Sequence, residues 1–344
     1  MNKILFINIG DIMNFLASYG LFLAKFATAL ILLLIFILIV ISAKTKQKTP
    51  GKISISNINK KYTDMQHTLQ KEIIDDKLFK KQIKQENKAQ KKQKNDKKKN
   101  KIFLVNFNGD IKATQVKQLR EIITGILLVA TPEDEVVINL ESPGGLVHSY
   151  GLAASQLQRL RTRNIPLTVT VDKVAASGGY MMACVANKII AAPFAIIGSI
   201  GVLVQLPNFN RLLKHNKIDF EQLSAGDYKR TLTIFGENTQ KDRKKMQEDI
   251  EETHVLFKDF IKTNRAILDV DAVANGEYWL GTKALQLRLV DMISTSDDYL
   301  LDAKDKYDIF EVKFKHRKSL TDKISKGTAK ILDRVIMRLS QPEG

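Results

Sequence analysis

The chain is poor in cysteine, and that scarcity closes several routes at once. Cys184 is the only cysteine among 344 residues, so no disulfide framework forms within the chain and a zinc site of several thiolates is excluded. It reads as a packing residue. The five histidines, His67, His148, His215, His254 and His316, are scattered, with no HExxH or comparable ligand spacing. No catalytic metal and no cofactor is therefore expected, and any hydrolysis must run without one. Aromatic residues are scarce where charge is dense. Residues 44–101 hold 19 lysines against 6 acidic residues, which is +13 of the formal net charge of +17. Nucleic-acid recognition pairs such charge with aromatic stacking platforms. Without them, no nucleic-acid partner is expected, and the rest of the chain is close to neutral.

What is abundant is an apolar run near the start. FATALILLLIFILIVISA (26–43) has no charge and follows the largely apolar YGLFLA. At 1.5 Å per residue it covers roughly 27 Å, and with residues 19–25 it exceeds a hydrocarbon core of about 30 Å. Residues 26–43 are read as a transmembrane helix and 1–25 as the segment entering the membrane. A signal peptide fits less well, because the run is longer than an h-region and the lysine-rich residues after it offer no small-x-small cleavage site. Lys44, Lys46, Lys48 and Lys52 follow the run, whereas only Lys3 and Lys25 precede or enter it. Taken literally, this places the globular part in the cytoplasm, but lysine is frequent throughout and sidedness stays open. Residues 44–101 read as a basic, low-complexity linker, partly helical at most, and suited to contact with anionic membrane lipid. Residues 316–344 read as a basic helical tail.

Beyond residue 101 short apolar runs alternate with amphipathic stretches, an α/β signature. Strands are expected at 102–107, 136–140, 166–171, 188–192, 199–204, 217–223 and 307–314. Helices are expected at 115–129, 146–161, from about Ser177, and over 240–265. There is no internal repeat of the domain.

Two glycine-bearing segments carry the chemistry. ESPGGLV (141–147) directly follows the strand VVINL. Its glycines allow a sharp turn that presents backbone N–H groups outward, as an acyl-transfer enzyme needs for a developing oxyanion; Gly145 is the first candidate donor. By itself PGG is a turn. DKVAASGGYMMACVAN (172–187) sets Ser177 among small residues at the start of a helix. That serine also fits a helix N-cap or a small filler in tight packing. Gly178 next to it supplies a second N–H, and the helix N-terminus adds positive potential.

A serine hydroxyl needs a base. His148, after the PGG turn, has no obvious acidic orienter. Lys229 in SAGDYKRTLT (224–233) lies in a turn-rich segment rather than on a charged helix face. To act as a base its amine must be neutral, which burial in a water-poor site supplies. Its bland reading is a solvated surface lysine.

At this point the chain resembles the signal peptide peptidase A family, and within it the SohB branch of bacterial inner-membrane peptidases. The resemblance runs nearly end to end through LESPGGLVHSYGLAASQLQRLR (140–161), IPLTVTVDKVAASGGYMMACVA (165–186), APFAIIGSIGV (192–202), AGDYKRTLT (225–233) and GENTQ (236–240). It implies a Clp-protease-like or crotonase-like α/β domain of repeated ββα units over 102–315, preceded by the transmembrane helix. It also implies a Ser-Lys endopeptidase with Ser177 as nucleophile, Lys229 as base, Gly145 and Gly178 as oxyanion donors, and Ser199 orienting the lysine. Peptides or membrane-protein fragments are the implied substrates, and a ring-shaped homo-oligomer is the implied assembly. The small residues around Ser177 suggest apolar or small P1 groups. Two other readings use the same features: a crotonase-like acyl-coenzyme A enzyme with no serine nucleophile, and a membrane scaffold that binds peptide segments without cutting them.

Overall fold

The computed structural model describes residues 9–44, 51–93 and 99–315. The expected tail at 316–344 lies outside them. The chain divides into two units, residues 53–314 on one hand and the two terminal stretches on the other. In the N-terminal stretch, helix α1 (Ile9–Lys44) contains the exposed apolar segment Leu16–Leu34, with a mean hydropathy of 1.8. By length and composition α1 is able to cross a membrane, and it includes the whole of the span expected at 26–43.

The larger unit runs β1 (Lys52–Asn57), α2 (Ile58–Ile73), α3 (Asp76–Gln93), β2 (Asn100–Asn108), α4 (Val116–Leu127), β3 (Glu135–Glu141) and α5 (Val147–Arg161). It continues β4 (Leu167–Val171), β5 (Val174–Ala176), α6 (Gly178–Ala183), β6 (Lys188–Ala191), β7 (Ile196–Gly198), α7 (Asn210–His215) and α8 (Gln240–Asn264). It ends α9 (Val270–Val273), β8 (Tyr278–Leu280), α10 (Gly281–Gln286), β9 (Met292–Ile293), α11 (Ser296–Ala303) and β10 (Tyr307–Lys315).

Seven strands form one sheet in the order β1-β10-β2-β3-β4-β6-β9, and β5-β7-β8 form a second, smaller one. The inner pairs of the large sheet, from β10·β2 to β6·β9, are parallel. Such a sheet is buried on both faces, and β2 shows how. Phe103, Val105 and Phe107 join a core completed by α4, α5 and α6, while the alternate residues Ile102 and Leu104 join Ile58, Leu300 and Ile309 on the other face. Period-two alternation sends successive side chains to opposite layers. The expected ββα unit is visible twice at the sheet's end: β4 and then β6 lie in the large sheet, while the strand following each, β5 or β7, lies in the small one.

Three expectations fail. Residues 52–93 are not a linker but a strand and two helices. β1 pairs at the sheet edge, and Asn57 caps α2 by accepting from Lys60 N. Asn59 locks α2 to the domain, donating to the Lys304 and Tyr307 carbonyls at 2.7 and 2.9 Å and accepting from Ile309 N at 2.7 Å. The strand expected at 199–204 is absent, since β7 stops at Gly198, and 217–223 contains no strand because its backbone finds no ladder partner among the described residues.

A clamp built on a buried arginine holds the rear of α6. Arg265, 5% exposed, donates both terminal nitrogens to Asp291 at 2.8 and 3.1 Å and its Nε to the Arg288 carbonyl. Asp291 also accepts from Ile189 N at 2.7 Å, and Tyr180 on α6 donates to the neighbouring Leu289 carbonyl. Asp291→Ala leaves the buried guanidinium without its carboxylate, so urea unfolding is expected to show a loss of about 1–3 kcal/mol. A loss below about 1 kcal/mol would mean that water replaces the carboxylate.

Candidate active site

Ser177 sits between β5 and α6, and its backbone is unusual. At φ 52° and ψ −119° it occupies a region that residues with a Cβ avoid, at a cost of order 1–3 kcal/mol. The cap reading fails, since the side chain makes no capping hydrogen bond to α6. The filler reading fits no better, because Ser177 is only half-buried while Gly178 to Ala183 are fully inside. That burial also means α6 is enclosed on every side. A serine on a strained strand-to-helix turn, its hydroxyl in no hydrogen bond among the described residues, is the arrangement by which hydrolases present a nucleophile.

The turn is pinned from both sides. Ser177 N donates to the Gly198 carbonyl at 2.7 Å, and β5 pairs in parallel with β7. Ser199, one residue on, also has a positive φ of 51°, and its N–H is held by the Glu277 carbonyl at 2.6 Å. The PGG turn lies against the other side. A Cβ on Gly144 would come within 2.7 Å of Gly178 N and 2.8 Å of Ser177 Cβ, so the two glycine-bearing segments are in backbone contact. Gly144 (φ 90°) and Gly145 (φ 157°) both need the freedom of glycine, and at Gly145 a Cβ would strike the Ile111 carbonyl at 2.1 Å.

The N–H groups near this junction divide by use. Gly144 N donates to Ser142 Oγ at 3.1 Å, whereas the N–H groups of Gly145 and Gly178 take part in no hydrogen bond among the described residues. The structure thus brings Ser177, Gly178, Gly145 and the backbone next to Ser199 into one neighbourhood. It does not bring Lys229 there by any hydrogen bond within the chain. Lys229 is exposed, its N–H donating to the Gly226 carbonyl at 3.2 Å. It lines an open hollow of about 760 Å³ with Leu206, Phe220, Leu232 and Phe235. His148 is exposed on α5.

Sequence reasoning missed Ser142 and Tyr150. Both are buried, and they are joined by a 2.6 Å hydrogen bond directly behind the PGG turn. The signal was present, since a serine two residues before the first glycine is placed to accept from a turn N–H, but a buried tyrosine on α5 looks like core from its spacing. Burial holds the Tyr150 phenol above its ordinary value, opposed by the bond from Ser142, so it stays protonated.

Comparison with known proteins shows the family. Models described as "Peptidase family S49 N-terminal" and "Peptidase family S49" match residues 14–157 and 159–309. The probable protease SohB of Haemophilus influenzae is 44% identical over 345 residues, spanning 95% of this chain and 97% of that one. A protein of the same description from Buchnera aphidicola subsp. Acyrthosiphon pisum is 53% identical over 246 residues, or 72% and 73% of the two chains. A solved membrane-bound stomatin-specific protease, 1510-N, in a lysine-to-alanine mutant with a substrate peptide, aligns over 67% of this chain and 99% of its own at TM-score 0.40 and 16% identity, too slight a likeness to bear on the site. With relatives matched at this identity over most of both lengths, and with both family models covering the catalytic unit, the chain belongs to peptidase family S49 and is a serine-type peptidase carrying a membrane-anchoring helix.

Proposed function

We propose that the chain is an endopeptidase of the bacterial inner membrane that works through a Ser177-Lys229 dyad. The observation that carries this reading is the strained, uncapped backbone of Ser177 beside two unused N–H groups, those of Gly145 and Gly178. Ser177 Oγ attacks the peptide carbonyl carbon as its proton passes to Lys229 Nζ. The oxyanion takes hydrogen bonds from Gly145 and Gly178. Collapse expels the amine, which takes the proton from Lys229, leaving an acyl-enzyme. Water, deprotonated by the same lysine, then releases the acid product. Ser199 orients the lysine amine.

Lys229 lies in the segment 201–238, which exposes large apolar side chains, Leu203 at 76% and Leu223 at 97% among them, together with Phe209, Ile218, Phe220 and Tyr228. Apolar surface on this scale calls for a partner. In the proposed ring a second copy covers it, and the lysine of one subunit serves the serine of the next. Anionic lipid head groups attract the basic stretch around α3.

Two measurements test the reading. A fluorophosphonate probe is expected to label the full-length protein at Ser177 and to lose that labelling in Lys229→Ala; no adduct would favour an acyl-coenzyme A enzyme or a silent scaffold. Mixing Ser177→Ala with Lys229→Ala subunits is expected to restore up to roughly a quarter of wild-type turnover, as random pairing of two defective halves gives. No recovery in verified mixed oligomers would place both groups in one subunit.

A further inference from the structure

The hydroxyl groups behind the PGG turn form a chain with every donor assigned. Tyr150 Oη donates to the Asp110 carbonyl at 2.8 Å, so in its 2.6 Å bond with Ser142 it accepts, and Ser142 Oγ donates. Ser142 Oγ in turn accepts from Gly144 N at 3.1 Å. The direction therefore runs from Gly144 N–H through Ser142 and Tyr150 to the carbonyl of the loop after β2.

Both ends of this chain are anchored. Ser142 is fixed by backbone bonds to β5, donating its N–H to the Val174 carbonyl at 2.8 Å and accepting from Ala176 N at 3.0 Å. Asp110 is held by its own carboxylate, which accepts from Thr114 N and Oγ1, both at 2.8 Å. The Ile111 carbonyl takes Leu146 N at 2.8 Å, closing the same loop over the far side of the turn. Tyr150, with no exposed surface, does a second thing: a Cβ on Gly178 would lie 2.4 Å from its Cγ, so its ring is the floor beneath Gly178. One side chain thus touches the settings of both unused N–H groups.

We propose that Tyr150 and Ser142 are positioning residues for the oxyanion hole: by holding Gly144 N–H they fix the Pro143–Gly144 peptide plane, which together with the Gly145–Leu146 plane held at the Ile111 carbonyl brackets Gly145 N–H and so aims it, while the Tyr150 ring sets the height of Gly178 N–H. Neither touches substrate. The inference rests on Ser177 being the nucleophile, and its effect is specific to the charged intermediate. Loss of one oxyanion donor lowers kcat by about 10²–10³-fold; a donor that is present but misaimed is expected to cost roughly 10–10²-fold.

The test uses Tyr150→Phe and Ser142→Ala in the full-length protein, two changes that remove one oxygen each and add no atom to a crowded site. Substrate turnover is read beside inhibition by a peptide aldehyde, whose hemiacetal oxygen occupies the hole, and by the matching peptide alcohol, which forms no oxyanion. For each variant kcat is expected to fall about 10–10²-fold with KM within about twofold. The aldehyde Ki is expected to rise in parallel and the alcohol Ki to stay within about twofold. Aldehyde and alcohol weakening equally, or neither weakening, overturns the positioning role. A wild-type protein that binds aldehyde no better than alcohol overturns the Ser177 reading itself, and the positioning role with it. Should one variant not fold, the other decides by the same readouts.

Discussion

Ser177→Ala is expected to lower kcat by on the order of 10⁴–10⁶-fold while leaving the folded protein intact, and Lys229→Ala to do nearly as much. The expectation for folding follows from surroundings. The Ser177 hydroxyl makes no hydrogen bond among the described residues, and alanine meets the same backbone strain as serine, so nothing structural is lost. Lys229 is exposed on a segment without regular structure, where truncation leaves no cavity and no orphaned partner. If the proposed dyad holds, chemistry loses everything, because nucleophile and base act as a unit and each is useless without the other. Turnover of a fluorogenic peptide by detergent-solubilised full-length protein, with thermal unfolding of each variant, separates the two effects. Wild-type turnover in Ser177→Ala would move the nucleophile elsewhere.

Gly144→Ala is expected to combine both kinds of loss. The new Cβ would stand 2.7 Å from the Ala176 carbonyl oxygen and 2.7 Å from Gly178 N, and both of these are backbone. No side-chain rotation relieves such contacts, so the PGG turn and the Ser177 turn must separate. The φ of 90° adds strain of its own. Together these should cost about 3 kcal/mol of stability. A displacement of the hole by an ångström lowers kcat at least ~10²-fold. The control is Gly151→Ala on α5, where nothing lies within 4 Å of the new Cβ. There helix propensity favours alanine by about 1 kcal/mol, and activity should be unchanged. Wild-type kcat in Gly144→Ala would show that the two turns are not packed against one another when the enzyme works.

Much of the fold was legible because its central strands are buried on both faces and therefore read as unbroken apolar runs. IFLVNF falls within β2, VVINL within β3, and PLTVTV covers β4. The stretch before β2 was misread for the opposite reason. Averaged over residues 44–101 the lysines dominate, yet those from Lys52 to Lys84 are exposed. The structural information is carried by a few residues at the right spacing: Ile53 and Ile58, then Asn59 and Tyr62. A window average hides an amphipathic helix whose apolar side is narrow. Residues 203–204 and 217–223, expected in strands, carry apolar side chains for another cause, since they are surface in a single chain.

The candidate site was legible in its motifs and not in its support. Small residues and glycines mark where backbone must bend or approach closely, which is how 141–147 and 172–187 stand out. Nothing local marks Tyr150, whose value comes from a glycine 28 positions away and a carbonyl 40 positions back. Nor does spacing show whether Lys229 and Ser177 meet, because within one chain no hydrogen bond joins them.

The positive φ at Ser177 sets stability and chemistry against each other at a single position. Glycine would relax that backbone, so a substitution to glycine there makes the domain easier to fold and, if Ser177 is the nucleophile as proposed, at the same time ends its activity. Change to glycine at this codon is therefore not opposed by folding; on the proposed mechanism only the need for the reaction keeps a serine in place. A lineage released from that need would be expected to lose the nucleophile early and to keep the sheet, the turn and the tyrosine behind it. Such a chain would remain a well-folded peptide-binding membrane protein, differing from a working peptidase by one strained side chain.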